Sequence, residues 1–575
     1  MISFRELKRY RKKVVDGKCM NVSVLGDCST QYLVQALEGY FRYVNIDVSI
    51  YEADYNQIKL QLLDENSETY KSDPRIIVLY QSVEHLYEEF VKKTIDERLV
   101  FAEDVIDDIR GNWSLIANNS HAQILQFNFC EYDDMTLGQY ANKTPSSFIF
   151  QLRKLNYLLQ VEAANNNLVN IVDILGIQNQ LGKDVFFDAT LFYNSKVTIS
   201  FAALPYVAKR IVDIVLQMQG KMKKCLVCDL DNTLWGGVVG DDGIENLEMG
   251  ELGRGRIFTS IQSWVKELKQ KGIIIAICSK NNEELAKEVF IRHPEMVLQL
   301  EDISAFVANW EDKATNIKYI QESLNIGLDS MVFIDDNPFE RNLVREILPE
   351  VEVPELPDDP SLYLEYLINQ NYFETLSYMG EKSDRTQMYR AEFSRKKEEK
   401  TFANVADYLR SLEMVAEAKR FDSENVSRIS QLTQRSNQFN LRTIRYTTND
   451  IEVIMNDENY LTFYFKLRDK YGEYGIVSLV IVEKIDSEQC FLDTWIMSCR
   501  VLKRGMEEFV MNRVVESLKE HGYKYLKSEY IPTTKNAMVQ NIFVDMGFRE
   551  IGEREYELAV NSYIPLETFI MEEKQ

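Results

Sequence analysis

Short apolar runs alternate with amphipathic helical stretches through the first part of the chain. The runs that predict strands lie at 21–26, 46–51, 75–80, 122–127 and 168–172. Strands that are separated by helices favour a parallel, doubly wound sheet. We therefore predict an α/β domain over residues 1–215.

A second series of the same kind follows. Its predicted strands lie at 225–228, 273–278, 296–299 and 331–334. Each strand is short and apolar, and a helical stretch separates it from the next. We therefore predict a second doubly wound parallel-sheet domain over residues 220–357.

The rest of the chain changes character twice. Residues 358–404 are charged and helical, and we interpret them as a helical connector whose charge run at 395–400 is a solvated helix face. Further on, β-branched and aromatic runs at 460–465 and 476–482 predict strands. A long amphipathic helix is predicted near 504–520, so the pattern indicates a separate α+β domain over 405–575.

Composition restricts the partners. The chain has 575 residues, too many for one hydrophobic core, and a net charge of −24 from 66 basic and 90 acidic residues. That charge repels nucleic acid and anionic membranes, and no apolar stretch approaches the ~20 residues of a membrane span. The first residues are charged and lack the apolar core of a signal peptide, so we expect a cytoplasmic protein. From the net charge we expect neither nucleic-acid nor membrane partners.

The eight cysteines lack a disulfide-like spacing, which is consistent with a reducing compartment. Cys225 and Cys228 form a C-x-x-C, but both lie in a predicted strand. Residues three apart on a strand point to opposite faces. The pair is therefore not expected to bind one zinc ion.

Two acidic residues follow the first strand of the second domain. Asp229 and Asp231 stand at its carboxyl end, where parallel α/β sheets place their ligands. A turn after the strand can re-aim the second carboxylate. Asp229 can then bind a hard cation and attack phosphorus, while Asp231 delivers or takes the proton of the leaving group.

Two basic elements follow along the same domain. Ser279 and Lys280 end an apolar strand and offer a hydroxyl, an ammonium and backbone amides to phosphate oxygens. Lys313 opens a predicted helix and can neutralise both a phosphate and nearby carboxylates. We predict that Ser279, Lys280 and Lys313 bind phosphate.

A second acidic pair, Asp335 and Asp336, ends the last strand of this domain. Carboxylate oxygens are the ligands that Mg²⁺ prefers. Several carboxylates can share a site only if a divalent cation and a lysine offset their repulsion, so magnesium is implied. The predicted metal ligands are Asp229, Asp231, Asp335 and Asp336.

In this order the four clusters resemble the motifs of the haloacid-dehalogenase (HAD) superfamily. The resemblance implies that Asp229 is the nucleophile and that Asp231 is the general acid/base. The interval after Asp231 has room only for a short flap, and the interval between Ser279 and Lys313 has room for one helix and one strand. Neither interval can hold a lid domain. We therefore expect an uncapped, open site, which suits a substrate carried on a macromolecule.

A longer run is more specific. Residues 225–243, which include Trp235-Gly-Gly, resemble the FkbH-like family, subfamily IIIC of the HAD superfamily. The resemblance implies a phosphorylated small-molecule donor, a phosphoglyceryl compound, whose acyl group is loaded onto an acyl carrier protein in polyketide or surface-glycan biosynthesis. Such loading would need a thiol, for which Cys278 is the nearest candidate and Cys28 the second. The alternative for Cys278 is a small buried core residue.

Two other functions fit the same residues. The chain could be a plain HAD phosphatase that acts on a small phosphorylated metabolite or protein, without a carrier. It could also be a non-catalytic scaffold that recruits biosynthetic partners through its acidic surface. The complete set of four clusters favours an enzyme.

The N-terminal domain carries a third motif. Gly26-Asp-Cys-Ser-Thr30 resembles the Gly-Asp-Ser block of SGNH-type hydrolases, with Cys28 at the nucleophile position. Leu191 stands where those hydrolases place their histidine base, and without a base the nucleophile is not activated. We interpret this SGNH-like domain as degenerate and as a substrate- or partner-binding module.

The C-terminal part resembles the GNAT acyltransferase fold. Residues 500–505 resemble the loop that holds pyrophosphate with backbone amides at a helix N-terminus, although Lys503 replaces its first glycine. The segment from Asn536 to Phe548 resembles the late helix of that fold, with Phe543 where a tyrosine acid is often found. The resemblance implies that a phosphopantetheine thioester or CoA arm binds to Arg500, Lys503, Arg504, Gly505 and Asn536.

Overall fold

The computed structural model describes residues 2–17, 19–375, 389–391, 395, 402, 404–436, 438–533 and 535–573. The chain forms two compact units, Met1–Val215 and Leu216–Gln575. None of the helices in the described ranges combines the length and the apolar character that a membrane span requires.

The first unit is built on a five-stranded parallel sheet with the strand order β2-β1-β3-β4-β5. Its strands are β1 (Met20–Gly26), β2 (Val48–Glu52), β3 (Ile76–Tyr80), β4 (Gln123–Phe127) and β5 (Val169–Val172). Its helices are α1 (Phe4–Tyr10), α2 (Gln31–Tyr43), α3 (Ile58–Leu63), α4 (Glu68–Lys71), α5 (Val83–Phe90), α6 (Ile95–Leu99), α7 (Phe101–Asn119), α8 (Phe148–Ala164), α9 (Ile174–Leu181), α10 (Lys183–Phe186), α11 (Ala189–Ser195) and α12 (Leu204–Met218), the last of which crosses the boundary.

The apolar runs explain this sheet. Every residue of β3 and of β4 is buried, as expected for central strands that are covered by helices on both faces. The prediction of a doubly wound parallel sheet in this part of the chain is confirmed.

The second unit begins with a four-stranded parallel sheet in the order β8-β7-β6-β9. Its strands are β6 (Cys225–Cys228), β7 (Ile274–Ser279), β8 (Ala305–Ala308) and β9 (Met331–Ile334). Its helices are α13 (Val239–Asp242), α14 (Gly255–Gln270), α15 (Glu283–Arg292), α16 (Lys313–Leu324), α17 (Pro338–Ile347) and α18 (Tyr363–Gln370). The second doubly wound sheet is therefore confirmed as well.

The short strand β6 separates two apolar clusters. Cys225 and Val227 pack on one face, with the residues of α16, whereas Leu226 and Cys228 pack on the other, with those of α14. The two cysteines thus point to opposite faces, as the strand pattern predicts, and they do not share a ligand.

The predicted strand at 296–299 is wrong. These residues form a loop whose backbone is bonded to α14: Gln262 Oε1 accepts from Val297 N at 2.9 Å, and Lys266 Nζ donates to Val297 O at 2.9 Å. The third strand of this series is β8 instead. Its four residues include two alanines, which gives a weak strand signal.

The last part of the chain forms a nine-stranded mixed sheet, ordered β16-β17-β15-β14-β13-β12-β10-β18, with β11 paired to β14. The strands are β10 (Val415–Lys419), β11 (Phe439–Asn440), β12 (Tyr460–Asp469), β13 (Gly472–Lys484), β14 (Gln489–Met497), β15 (Tyr525–Glu529), β16 (Arg549–Gly552), β17 (Glu555–Ala559) and β18 (Met571–Glu572). The helices are α19 (Val405–Ser411), α20 (Val426–Arg435), α21 (Thr448–Asn456), α22 (Met506–Glu520) and α23 (Ile542–Asp545). The α+β class is confirmed.

The interval that we interpreted as a connector, 358–404, is described only in part. It contains α18, whose Tyr363 and Leu367 are buried in the same apolar cluster as Leu226 and Cys228 of β6. Most of residues 376–404, and the charge run at 395–400 except for Arg395, lie outside the described residues. The connector therefore stays a prediction.

Candidate active site

Asp229 and Asp335 become neighbours through strand pairing. Cys228 and Ile334 are the last paired residues of β6 and β9, and the backbone N of Asp229 donates to Ile334 O at 3.0 Å. Each aspartate is thus the first residue beyond its strand at the carboxyl edge of the sheet, the usual place for ligands in parallel α/β folds.

Three carboxylates meet at this edge. Asp229, Asp335 and Asp336 each offer one oxygen, and these oxygens lie within 4.8 Å of one another. Lys313, at the start of α16, brings its buried ammonium to Asp229 Oδ1 and lies 3.1 Å from Asp335 Oδ2 and 2.9 Å from Cys278 O. The predicted gathering of separate strand ends around a lysine is therefore present in the structure.

Crowding of negative charge dominates the electrostatics of the site. Burial and the charge of Asp229 raise the pKa of Asp335 to about 7 and that of Asp336 to about 6, although Lys313 opposes both shifts. The pKa of Lys313 is raised, because the attraction of Asp229 and Asp335 outweighs the burial that would lower it. One ammonium does not balance three carboxylates.

The donor set fits a hard divalent cation. The three carboxylates supply only oxygen ligands, and Asp335 Oδ2 is a buried oxygen without a well-directed hydrogen bond from a protein group. Oxygen-only ligation with water completing the shell is typical of Mg²⁺. Asp229, Asp335 and Asp336 are therefore the residues that would hold the ion.

The structure places Asp231 outside this group of carboxylates, which corrects its prediction as a metal ligand through the side chain. Its carboxylate accepts from Trp235 Nε1 at 2.8 Å, from Asn281 Nδ2 at 2.9 Å and from Val239 N at 3.2 Å. Asn232, the next residue, has a φ of 53°, so the chain turns directly after Asp231 and brings Trp235 and Val239 back to its carboxylate. Burial raises the pKa of Asp231 despite these donors, which suits a group that exchanges protons.

The predicted phosphate-binding residues have different surroundings. Ser279 is buried, and its Oγ accepts from Asn281 Nδ2 at 3.1 Å, so Asn281 links it to Asp231. Lys280 lies at the rim, where its Nζ is 2.6 Å from Glu340 Oε1. Lys313 and Ser279 are thus brought to the carboxylate site, whereas Lys280 is held beside it by an ion pair.

Several residues that hold the site in place were not predicted from the sequence. Arg341 donates from Nη1 to the backbone oxygens of Asp335 at 2.9 Å and of Asp336 at 2.7 Å, and so fixes the loop that carries both. Thr233 Oγ1 accepts from Asp336 N at 3.1 Å. Trp235 belongs to the motif at 225–243 and Asn281 follows Lys280, but neither residue type nor spacing indicates that they would donate to Asp231.

The site has no lid domain. The interval from Asp231 to α14 holds only α13 and a short flap, and the interval from Ser279 to α16 holds α15, one turn and β8; both are described in full. Two exposed aromatic side chains, Trp310 and Phe339, follow β8 and β9 at the two edges of the sheet. The short intervals agree with the expected open site.

Cys278 is not an accessible thiol, which corrects its assignment as an acyl carrier. Its side chain is fully buried, and burial raises its pKa to about 12. Its Sγ lies 3.8 Å from the backbone oxygen of Lys313. Because the thiolate is the reactive form, a buried neutral thiol at this position acts as core.

Asn536 is a structural residue, not a ligand-binding one. Its amide is completely buried and donates to the backbone oxygens of Asn440 and Ile531, each at 2.9 Å. Its Oδ1 accepts from Thr533 N at 2.7 Å and from Tyr530 OH at 3.0 Å. No hydrogen-bonding capacity of this amide is left for a thioester arm.

The predicted pyrophosphate loop is filled by the chain itself. Lys503 adopts a φ of 61°, and its backbone N donates at 2.9 Å to the carboxylate of Glu507, in the first turn of α22. Burial raises the pKa of Glu507, although the backbone N–H groups of Lys503, Met506 and Glu507 itself act to lower it. Thr568 Oγ1 donates to Gly505 O at 2.8 Å, so the C-terminal segment also covers the loop. A carboxylate thus stands where the resemblance implied a phosphate.

The two arginines of this loop face the protein. Arg500 is buried and donates from Nε to Ser498 Oγ at 3.2 Å, and Arg504 donates to the Tyr474 hydroxyl. With the loop amide taken by Glu507, the structure does not bring Arg500, Lys503, Arg504 and Gly505 together as a CoA-arm site.

The motif of the N-terminal unit is likewise buried. Cys28 lies beneath the surface, and burial raises its pKa well above the usual value. Its partner is Thr198, whose Oγ1 lies 3.6 Å from the sulfur. Asp188, near the position of the missing base, caps α11 by accepting from Thr190 N at 2.8 Å. The group that contacts the sulfur is thus the hydroxyl of Thr198 and not a histidine.

A solved structure resembles this chain. The N-terminal part of the protein BF1531 from Bacteroides fragilis, containing a phosphatase domain complexed with Mg, matches with 46% identity and a TM-score of 0.63, over 66% of this chain and 100% of that chain. The ribosomal-protein-S18-alanine N-acetyltransferase from Escherichia coli (14% identity, TM-score 0.20) and a spermidine N-acetyltransferase from Vibrio cholerae in complex with CoA and spermine (12%, 0.22) match 25% and 26% of this chain, and 90% and 98% of their own. These two scores are too low to support an argument.

The family comparison agrees with the structural one. Residues 21–216 match the family model described as FkbH, N-terminal domain. No curated protein matches the sequence. With 46% identity along the entire Bacteroides fragilis structure and this match to the N-terminal unit, the chain belongs to the FkbH-like family.

Proposed function

We propose that this protein is a Mg²⁺-dependent phosphatase or phosphotransferase of the HAD type, with Asp229 as its nucleophile. The observation that carries the proposal is the meeting of Asp229, Asp335 and Asp336 around the buried ammonium of Lys313. The Mg²⁺ bound by the Bacteroides fragilis phosphatase domain supports the same ion here. When bound, Mg²⁺ supplies positive charge to the phosphoryl oxygens.

Phosphoryl transfer would take two steps, in which Asp229 and Asp231 have separate roles. Asp229 attacks phosphorus, so that its Oδ–P bond forms while the bond from phosphorus to the leaving oxygen breaks. Asp231 gives its proton to that oxygen and then takes one from the water that hydrolyses the aspartyl phosphate. Lys313 neutralises Asp229 and stays within reach of the phosphoryl oxygens, and Asn281 holds Asp231 beside Ser279.

We propose a phosphoglyceryl compound as the donor and an acyl carrier protein as the acceptor. Membership of the FkbH-like family supports a substrate carried on a large partner, and so does the lack of a lid domain in the two described intervals that follow Asp231 and Ser279. Because Cys278 is buried, the phosphopantetheine thiol of the carrier would itself attack the carbonyl carbon of an acyl phosphate on the donor, so that the C–S bond forms while the C–O bond to phosphate breaks. Attack by Asp229 on phosphorus would then serve a second, ester-linked phosphate of the same donor. The pathway would be polyketide or surface-glycan biosynthesis.

Plain phosphatase activity on a small metabolite is the second candidate. It is favoured by the burial of Cys278 and by Glu507, which fills the loop proposed for a CoA arm. On this alternative the site releases inorganic phosphate and no carrier is needed.

Incubation with a phosphoglyceryl donor and Mg²⁺, with and without a holo carrier protein, separates the two candidates. Acyl loading predicts a mass increase of one glyceryl group on the holo carrier, measured by intact mass spectrometry, and none on the apo carrier. Phosphate release at an equal rate without any carrier would instead support the plain phosphatase. The same reactions with EDTA should show neither product.

Replacing Trp235 with phenylalanine should move the alkaline limb of the pH–rate profile upwards. The indole N–H donates to Asp231 and lowers its pKa against burial, so its loss should raise that pKa further. Because Asp231 must be protonated to serve the leaving group, activity should persist to higher pH. The measurement is the pH dependence of kcat/KM from roughly pH 5 to 9, in which the alkaline limb of the variant should lie at higher pH than that of the wild type.

Trp310→Phe is the matched control. Trp310 is 77% exposed and is not among the donors that hold Asp231, so the profile of this variant should follow that of the wild type. An unshifted limb in a folded Trp235→Phe variant would contradict the role given to Asp231.

A further inference from the structure

The N-terminal unit contains a cavity of about 200 Å³ that the phosphoryl chemistry does not use. It lies at the carboxyl edge of the first sheet, where Tyr80 ends β3 and Ile174 follows β5. Parallel α/β sheets bind their ligands at this edge. The position and size suit a small molecule.

The cavity offers no nucleophile. Tyr80 and Thr198 line it and are joined at 2.6 Å through their oxygens, and Thr198 separates it from the sulfur of Cys28. Cys130 also lines it, but this thiol is buried beside Ile174 O, and burial raises its pKa. The cavity is therefore equipped for binding and not for covalent chemistry.

Glu84 and Lys183, which carry opposite charges, line the same cavity together with Glu131, whose carboxylate is paired with Arg153. Glu84 projects from the first turn of α5, and Lys183 opens α10. Within the described part of the chain no ion pair joins them, so each is available to a ligand in the space between them. Lys183 is an exposed residue, and its ammonium lies 5.1 Å from the centre of the ring of Tyr132, which also lines the cavity.

The surroundings of Glu84 favour a hydrogen-bond donor. Burial raises the pKa of this carboxyl group to about 7, because its water is lost and Lys183 compensates only in part. A ligand that supplies a donor would replace the lost hydration. The remaining walls include Phe186, Phe187 and Ile174, which limit the ligand to a compact molecule.

We propose that this cavity binds a small carboxylic acid with a hydroxyl or amino group on the neighbouring carbon. The carboxylate lies against Lys183, and the α-substituent donates to Glu84. The proposal is independent of the phosphatase function, because every residue in it belongs to the N-terminal unit. Glycerate and serine are the two simplest three-carbon members of the class, and they differ in the donor that faces Glu84.

Calorimetric titration of the full-length protein tests the proposal with four compounds. Glycerate or serine, or both, should bind with a Kd in the millimolar range or tighter, and the preferred one identifies the donor. Propionate lacks the donor and glycerol lacks the carboxylate, so each should bind at least about tenfold more weakly. Equal binding of propionate, or no heat with glycerate and serine, would overturn the proposal.

Variants assign the binding to this cavity. Glu84→Gln and Lys183→Met should each weaken the preferred ligand about tenfold, whereas Asp229→Asn should leave its Kd unchanged. Lys143→Met is the matched control for Lys183, because its ammonium lies 4.6 Å from the centre of the exposed Tyr140 ring. Glu88→Gln, one turn further along α5, is the control for Glu84. Binding that survives both cavity variants, or that is lost with Asp229→Asn, would place the ligand elsewhere and overturn the assignment.

Discussion

Replacing Asp229 with asparagine should lower phosphoryl turnover by a factor of about 10⁴ or more. The amide keeps the size of the side chain but cannot attack phosphorus as a carboxylate does. It also removes one of the three charges that would hold Mg²⁺ and the direct partner of Lys313. The measurement is the initial rate of phosphate release from the phosphoglyceryl donor at saturating Mg²⁺, together with a test for phosphorylated protein by intact mass.

Asp241→Asn is the matched control for this variant. Asp241 is an exposed carboxylate of the flap, twelve residues further along the chain, and it is not part of the metal-binding group. Its replacement should leave the rate within about twofold of the wild type. Undiminished turnover in Asp229→Asn would remove the nucleophile from the mechanism. Cellular function that survives without turnover would favour the non-catalytic scaffold.

The arrangement of strand ends could be predicted because parallel pairing constrains it. Once Cys225–Cys228 and Met331–Ile334 are adjacent parallel strands, the next residue of each strand must lie at the same edge, which brings Asp229 to Asp335. Lys313 could be predicted from its place at the start of a helix in the same series. The core of the site thus depends on topology, which apolar runs reveal.

The direction of Asp231 could not be predicted in the same way. It follows the last paired residue of β6 by three positions, and donors from Trp235 and Asn281 hold its carboxylate, the first of them returned to it by the left-handed turn at Asn232. These contacts bring together residues up to 50 positions apart. Strand periodicity does not extend past the end of a strand, so it could not place this carboxylate.

The C-terminal loop shows the limit of a short motif. Residues 500–505 carry suitable types in a suitable order, and the helix that follows was predicted. Which group meets the loop amide is decided by Glu507, whose carboxylate bends back to Lys503 N. An acidic residue in the first turn of a helix is common and stabilising. The presence of Glu507 in the sequence therefore did not indicate that its carboxylate would occupy the loop amide.

Replacing Lys313 with methionine should reduce turnover by about 10²–10³ and also destabilise the second unit. Methionine preserves much of the volume but leaves Asp229 and Asp335 buried without their shared cation. Breaking a buried ion pair costs about 3 kcal/mol in free energy of unfolding. Lys318→Met, at an exposed position on the same helix, is the control and should change neither quantity.

The loss of stability should depend on pH in a definite direction. The folded-state pKa of Asp335 is about 7, far above the ordinary aspartate value, so the native state binds more protons than the unfolded state between about pH 4 and 7. Without metal, stability therefore falls as pH rises through this range. In Lys313→Met the fall should be larger and extend to higher pH, because the opposing ammonium is gone. Urea denaturation in EDTA at about pH 5.5 and pH 8 measures both effects. A variant equally stable at the two pH values would mean that Lys313 does not neutralise these carboxylates.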